Sequence, residues 1–90
     1  MPLTANKMEI DPLRSDLKSF LQRHNLLKKW EKAVHLFIQN VRHPSLHTEL
    51  LEPHWRGIYS FRIDKTYRAL FFIKGNKAEA VQITKHYRKG

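Results

Sequence analysis

The sequence predicts an α+β domain in which a helical hairpin covers one face of an antiparallel sheet. Two stretches with helical apolar periodicity lie near the N-terminus, the short joint His24-Asn25 separates them, and alternating segments divided by turn signals fill the C-terminal third. Taken in order, Lys7 to Ile10 adds a short strand with Met8 and Ile10 on one side. Asp11-Pro12 reads as a helix N-cap followed by proline at the first helical position. Leu13, Leu17, Phe20 and Leu21 then recur at i, i+4, i+7 and i+8, the spacing of one helix face. A second helix starts near Leu26 and carries Leu27, Trp30, Ala33, Val34, Phe37, Ile38 and Val41 on one broad stripe. Pro44 is expected to stop it, because the residue before a proline is pushed out of the helical region. His43 to His54 reads as a polar connection. His43 and His47 have a metal-like spacing, but Pro44 interrupts it and neither Cys nor Asp lies near to complete a site.

The segment Trp55 to Tyr87 reads as a three-stranded meander with turns at Asp64-Lys65-Thr66 and Gly75-Asn76. Strand side chains alternate, so Tyr59, Phe61 and Ile63, Ala69, Phe71 and Ile73, and Val81 and Ile83 are assigned to the core face. Arg62, Arg68, Thr84 and His86 then emerge together on the other face. That grouping requires odd-length loops, 64 to 66 and 75 to 77, since an even loop reverses the parity of the returning strand. Two guanidiniums and an imidazole on one sheet face suit a phosphate; the alternative is an ordinary solvated face.

Ninety residues suffice for one domain, spanning 1–90, with a single modest core. No apolar run reaches the roughly 18 residues of a membrane span, and MPLTANKMEID lacks a signal-peptide core, so a cytoplasmic protein is expected. The absence of cysteine excludes a disulfide framework and thiolate chemistry. There are 17 Lys and Arg against 8 Asp and Glu, for a net charge of +9. Residues 56–90 hold 9 basic and 2 acidic side chains, a net +7, and the remainder is close to balance. A basic excess concentrated on a small sheet points to a polyanion, or to an acidic protein covering the same surface. Tyr59, Tyr67 and Tyr87 interleave with the charge, as base stacking requires, although aromatics in strands more often belong to the core or an edge.

Four motifs stand in register: Glu49, the run Gly57-Ile58-Tyr59-Ser60-Phe61-Arg62-Ile63, the run Tyr67-Arg68-Ala69-Leu70-Phe71, and the closing His86-Tyr87. With them, Ser45 to Tyr87 resembles the RelE/ParE superfamily of bacterial toxins from type II toxin–antitoxin pairs, above all its YoeB-like branch. That branch shows Glu, G-x-W-S-R-R-I, H-R-L-V-Y and a final H-Y at the same spacing. Here Phe61 replaces the first arginine of the pair, Tyr59 the tryptophan and Tyr67 the histidine, and Arg88-Lys89-Gly90 follow the tyrosine.

The resemblance implies a helical hairpin on a twisted, mostly antiparallel four-stranded sheet, similar to microbial ribonucleases. It also implies an endoribonuclease that cleaves mRNA on the ribosome without metal or cofactor, held inactive by a cognate antitoxin, which the charge predicts to be acidic. By position, Glu49 is the general base on the ribose 2′-hydroxyl and His86 the general acid on the departing 5′-oxygen. Arg68, with Arg62 beside it, holds the scissile phosphate, and Tyr87 orients the nucleotide. Lys65, Lys85 and Arg88 extend the RNA-binding surface. Attack by a 2′-hydroxyl needs a group to take a proton, a group to give one, and cations for the charge that develops on the phosphate. Competing readings are a non-enzymatic gyrase poison similar to the ParE branch, whose members lack the Glu/His/Arg set, and a basic RNA-binding module.

Overall fold

A computed structural model describes residues 8–85. Its elements are β1 (Glu9–Ile10), α1 (Ser15–Arg23), α2 (Leu27–Gln39), β2 (Glu49–Leu50), β3 (Tyr59–Arg62), β4 (Tyr67–Lys74) and β5 (Lys77–Lys85), with 3₁₀ turns at Pro44–Leu46 and His54–Arg56. The sheet has five strands in the order β1-β5-β4-β3-β2, parallel only between β1 and β5. Four strands were expected. The fifth is β2, hidden inside the stretch read as a polar connection, because two residues carry no detectable alternation.

The first helix starts later than the Asp11-Pro12 signal suggests. The Asp11 backbone N–H donates to the Ala78 carbonyl at 2.9 Å, which keeps the chain extended beside β5, and the turn into α1 falls at Arg14 (φ −59°, ψ 151°). Asn25 joins the helices in the left-handed region (φ 56°), which asparagine tolerates better than most residues. The second helix ends at Gln39, before Pro44 can act. Asn40 is extended, and its Oδ1 accepts from the Arg42 N–H at 3.0 Å, an Asx turn that competes with the helix. Pro44 instead opens a 3₁₀ turn capped by His43, whose Nδ1 accepts from the Ser45 N–H at 3.1 Å.

Both helices lie on one face of the sheet, and the core sits between them. Phe37 from α2 meets Phe61 and Phe71 at centroid distances of 5.2 and 5.1 Å, and Trp30 stacks on Phe61 at 5.7 Å. Phe37, Phe61 and Phe71 are each at most 1 % exposed, and each contributes about 1.5–3 kcal/mol of hydrophobic stabilisation. Ile38, read as part of the apolar stripe, is 37 % exposed; Leu36 packs against the core in its place.

The β3–β4 turn has the expected odd parity, setting Arg62 opposite Arg68. At the second hairpin the chain reaches the same end by a different route. Lys74 pairs with Lys77 around the two-residue turn Gly75-Asn76, which alone would oppose Arg68 to Ile83. A β-bulge between Leu70 and Phe71 leaves Val81 as an extra residue on β5 and restores the pairing of Arg68 with Thr84. Val81 is therefore only half-buried, and Ala78 and Ala80 take the core positions expected of it and its neighbours. The Val81 carbonyl accepts from Arg14 Nη2 at 3.1 Å.

Candidate active site

The sheet face away from the helices carries two cross-strand rows. Glu49, Ser60, Leu70 and Gln82 form one, on β2, β3, β4 and β5; Arg62, Arg68 and Thr84 form the next. Glu49, Ser60, Arg68, Leu70, Gln82 and Thr84 line a concavity of about 290 Å³. Two of the residues singled out in the sequence, Glu49 and Arg68, are thus brought to one hollow by strand register. Glu49 is exposed at the sheet edge; Arg68 is only 6 % exposed.

Arg68 is held rather than free. Its Nε donates to Ser60 Oγ at 3.0 Å, and its Nη2 donates to the His47 carbonyl, which the left-handed backbone of His47 (φ 47°) presents. Among the described residues its hydrogen bonds run through Nε and Nη2. Burial lowers the pKa of Arg68, the Glu49 carboxylate acts against that shift, and the charge of Arg62 adds to it. An arginine stays protonated regardless. A buried cation with one partner carboxylate across the hollow is a site that gains from a further anion.

Arg62 lies beside Arg68 but lines a second pocket, toward α2, together with Lys65 of the β3–β4 turn. Lys85 pairs with Tyr67 and so falls on the parity opposite to Arg68, away from the hollow. His86, Tyr87 and Arg88 lie outside the described residues. The stacking expected of Tyr59 and Tyr67 is not available on this face. Tyr59 stacks on Phe71 at 5.7 Å, and Tyr67 meets Phe20 and His24 at 5.6 Å each.

Sequence reading passed over Ser60, fully buried and the residue that fixes the Arg68 side chain. Its signal was the i, i+2 spacing to Arg62, which puts both on the face opposite the core. The His47 carbonyl carried no signal, since a backbone acceptor is set by loop conformation and not by residue type.

A buried core under a sheet whose other face gathers a carboxylate and arginines defines a small α+β scaffold with a concave, charged site on its open sheet face. No family model matches the chain, and no curated protein matches it significantly. Solved structures do. The YoeB/ParE toxin from Agrobacterium tumefaciens is 21% identical, covers 90% of this chain and 99% of its own, and superposes with a TM-score of 0.65. The YoeB-YefM complex from Staphylococcus aureus is 20% identical, with 93% and 100% covered and a TM-score of 0.65. The E. coli DinJ-YafQ toxin-antitoxin complex is 15% identical, with 92% and 94% covered and a TM-score of 0.66. At these identities the likeness is one of fold: the chain shares the fold of these toxins over nearly its whole length.

Proposed function

We propose that the protein is the toxin of a type II toxin–antitoxin pair and acts as a metal-independent endoribonuclease on mRNA. The observation that carries this reading is the shared hollow of Glu49 and Arg68, a base and a phosphate-binding cation on one rigid sheet face. Glu49 takes the proton from the ribose 2′-hydroxyl, and the 2′-oxygen attacks the adjacent phosphorus. The bond from phosphorus to the 5′-oxygen breaks as His86 gives that oxygen a proton, leaving a 2′,3′-cyclic phosphate and a 5′-hydroxyl. Arg68 carries the charge that grows on the phosphate, and Ser60 and His47 hold the guanidinium so that little reorganisation is needed. Tyr87 orients the nucleotide.

The hollow is small and open, so the reading includes the ribosome as the scaffold that orients the message. A net charge of +7 over residues 56–90 supports an acidic antitoxin that covers the same face, and chains of this fold are solved as toxin–antitoxin complexes. The test is end-group analysis of RNA cleaved in a translating extract and in purified form, with a chelator present. Cyclic phosphate and 5′-hydroxyl ends are expected, with faster cleavage in the extract. Products bearing 5′-phosphate, or cleavage abolished by the chelator, contradict the mechanism, and RNA binding with no cleavage returns the protein to the binding-module reading.

A further inference from the structure

A further basic feature outside the hollow is a pocket of about 410 Å³ between α2 and the β3–β4 turn. Lys29 and Lys32 from α2, Arg62 from the end of β3, Lys65 from the turn and Ser45 from the 3₁₀ turn line it, and Asp64 is the one carboxylate among its lining residues. Asp64 is already engaged. Its Oδ2 accepts from Lys29 Nζ at 3.1 Å, and its Oδ1 accepts from the Thr66 and Tyr67 backbone N–H groups, each at 2.8 Å. These contacts tie the turn to the helix and cancel the charge of Lys29, which leaves Lys32, Arg62 and Lys65 as an uncancelled cationic rim.

A second observation concerns Arg62, one of the residues that line the pocket. The Nε of Arg62 is buried and has no hydrogen-bond partner among the described residues. Buried donors are nearly always satisfied, and a guanidinium edge is shaped to give parallel N–H bonds to a phosphate. Arg62 also stands directly across the strand pair from Arg68, one strand spacing of about 5 Å away. Arg62 thus links the two cationic features: it pairs with Arg68 of the hollow and lines the pocket that holds Lys32 and Lys65.

We propose that this pocket is a phosphate subsite, taking a phosphodiester of the RNA strand that runs past Arg62 from the cleavage hollow. It deepens the ribonuclease reading, on which it rests for the identity of the strand. A strand anchored here has its register set at a phosphate outside the reacting one, so the subsite adds affinity and position without reading the bases.

The probe is a fluorescent single-stranded 2′-O-methyl oligonucleotide, which cannot be cleaved by its own 2′-hydroxyl. Its affinity is measured by anisotropy over a range of salt for wild type, for the pair Lys32→Ala/Lys65→Ala, and for the charge-matched pair Lys18→Ala/Lys28→Ala. All four lysines are exposed, so folding is not at risk. The pocket pair is expected to bind roughly tenfold more weakly and to flatten the log–log salt dependence by about 0.7 for each phosphate that is no longer neutralised. The control pair should stay within about twofold of wild type, since neither lysine lines the pocket. Equal losses from both pairs, no loss from either, or no binding by wild type would overturn the subsite. Cleavage of all-ribose RNA by wild type is scored separately. If it is seen while both pairs act alike, the subsite fails and the ribonuclease reading stands; the pocket-specific loss without any cleavage has the opposite meaning.

Discussion

Removing the Ser60 hydroxyl tests whether Arg68 is a held group or a solvated one. In Ser60→Ala the Arg68 Nε loses an acceptor 3.0 Å away at a site where both residues are at most 6 % exposed. Leaving a buried charged donor unsatisfied costs about 1–3 kcal/mol. Arg68→Ala removes the same bond and the bond to the His47 carbonyl, but it also relieves the burial of a charge and its repulsion by Arg62, so its own loss falls in the same range. The double variant should then cost less than the sum of the singles, by about 1–2 kcal/mol, the usual coupling of contacting groups. Urea denaturation of the four proteins measures it, with midpoints shifting at constant slope. In folded protein, Ser60→Ala should also slow single-turnover cleavage by about tenfold, because a guanidinium free to swing no longer meets the phosphate pre-oriented. Additivity within about 0.5 kcal/mol would refute the proposed bracing of Arg68, since that is the behaviour of independent sites.

Deleting Val81 should remove the bulge yet leave Ile83 opposite Ala69 and Thr84 opposite Arg68, so the thermal midpoint should fall by much less than the loss of a buried isoleucine, about 1.5–3 kcal/mol, would cause. A fall of that full size would mean that Val81 is not the inserted residue. Asp64 is pushed upward in pKa by burial but held lower overall by the Tyr67 and Thr66 N–H groups and by Lys29. A carboxyl lowered on folding stabilises above its unfolded value of about 3.9, and that contribution disappears as pH falls through the lower folded value. Wild type should therefore lose stability below about pH 4 more steeply than Asp64→Asn, and parallel pH profiles would refute the tie. Phe37→Ala should cost about 3–5 kcal/mol, as expected for a ring enclosed by Phe61 and Phe71.

Much of this molecule is legible in its sequence because periodicity reports which face is buried. The stripes of α1 and α2 and the alternation of Phe61, Ala69 and Phe71 lead directly to one core. Arg62 and Arg68 were placed on one strand pair by the same logic and the length of the Asp64 turn. What escaped is set by backbone detail. Val81 looks like a core residue to any alternating pattern, and only the two-residue turn at Gly75-Asn76 reveals that one residue must be absorbed. The start of α1 was obscured by β1, whose pairing with β5 involves residues far apart in sequence. Alternation alone assigns Tyr59 to the core face, and the same parity turns Tyr67 inward, so neither ring is available for stacking beside Arg62 and Arg68. Lys29 and Lys32 looked like the solvated side of a helix, and their role as a pocket wall needs the β3–β4 turn opposite them.

The central claim, that Glu49 acts as a base and does not merely line a basic surface, is tested most directly by Glu49→Gln. The residue is exposed, so the exchange leaves the core intact, and it keeps the side chain's size while removing its ability to take a proton. Single-turnover cleavage of a ribosome-bound message should slow by about 10² or more, the scale for losing a general base. Affinity for the uncleavable 2′-O-methyl strand should hold or rise, because a negative charge leaves a polyanion site. Cleavage at the wild-type rate in Glu49→Gln would contradict the claim and return the hollow to a binding surface.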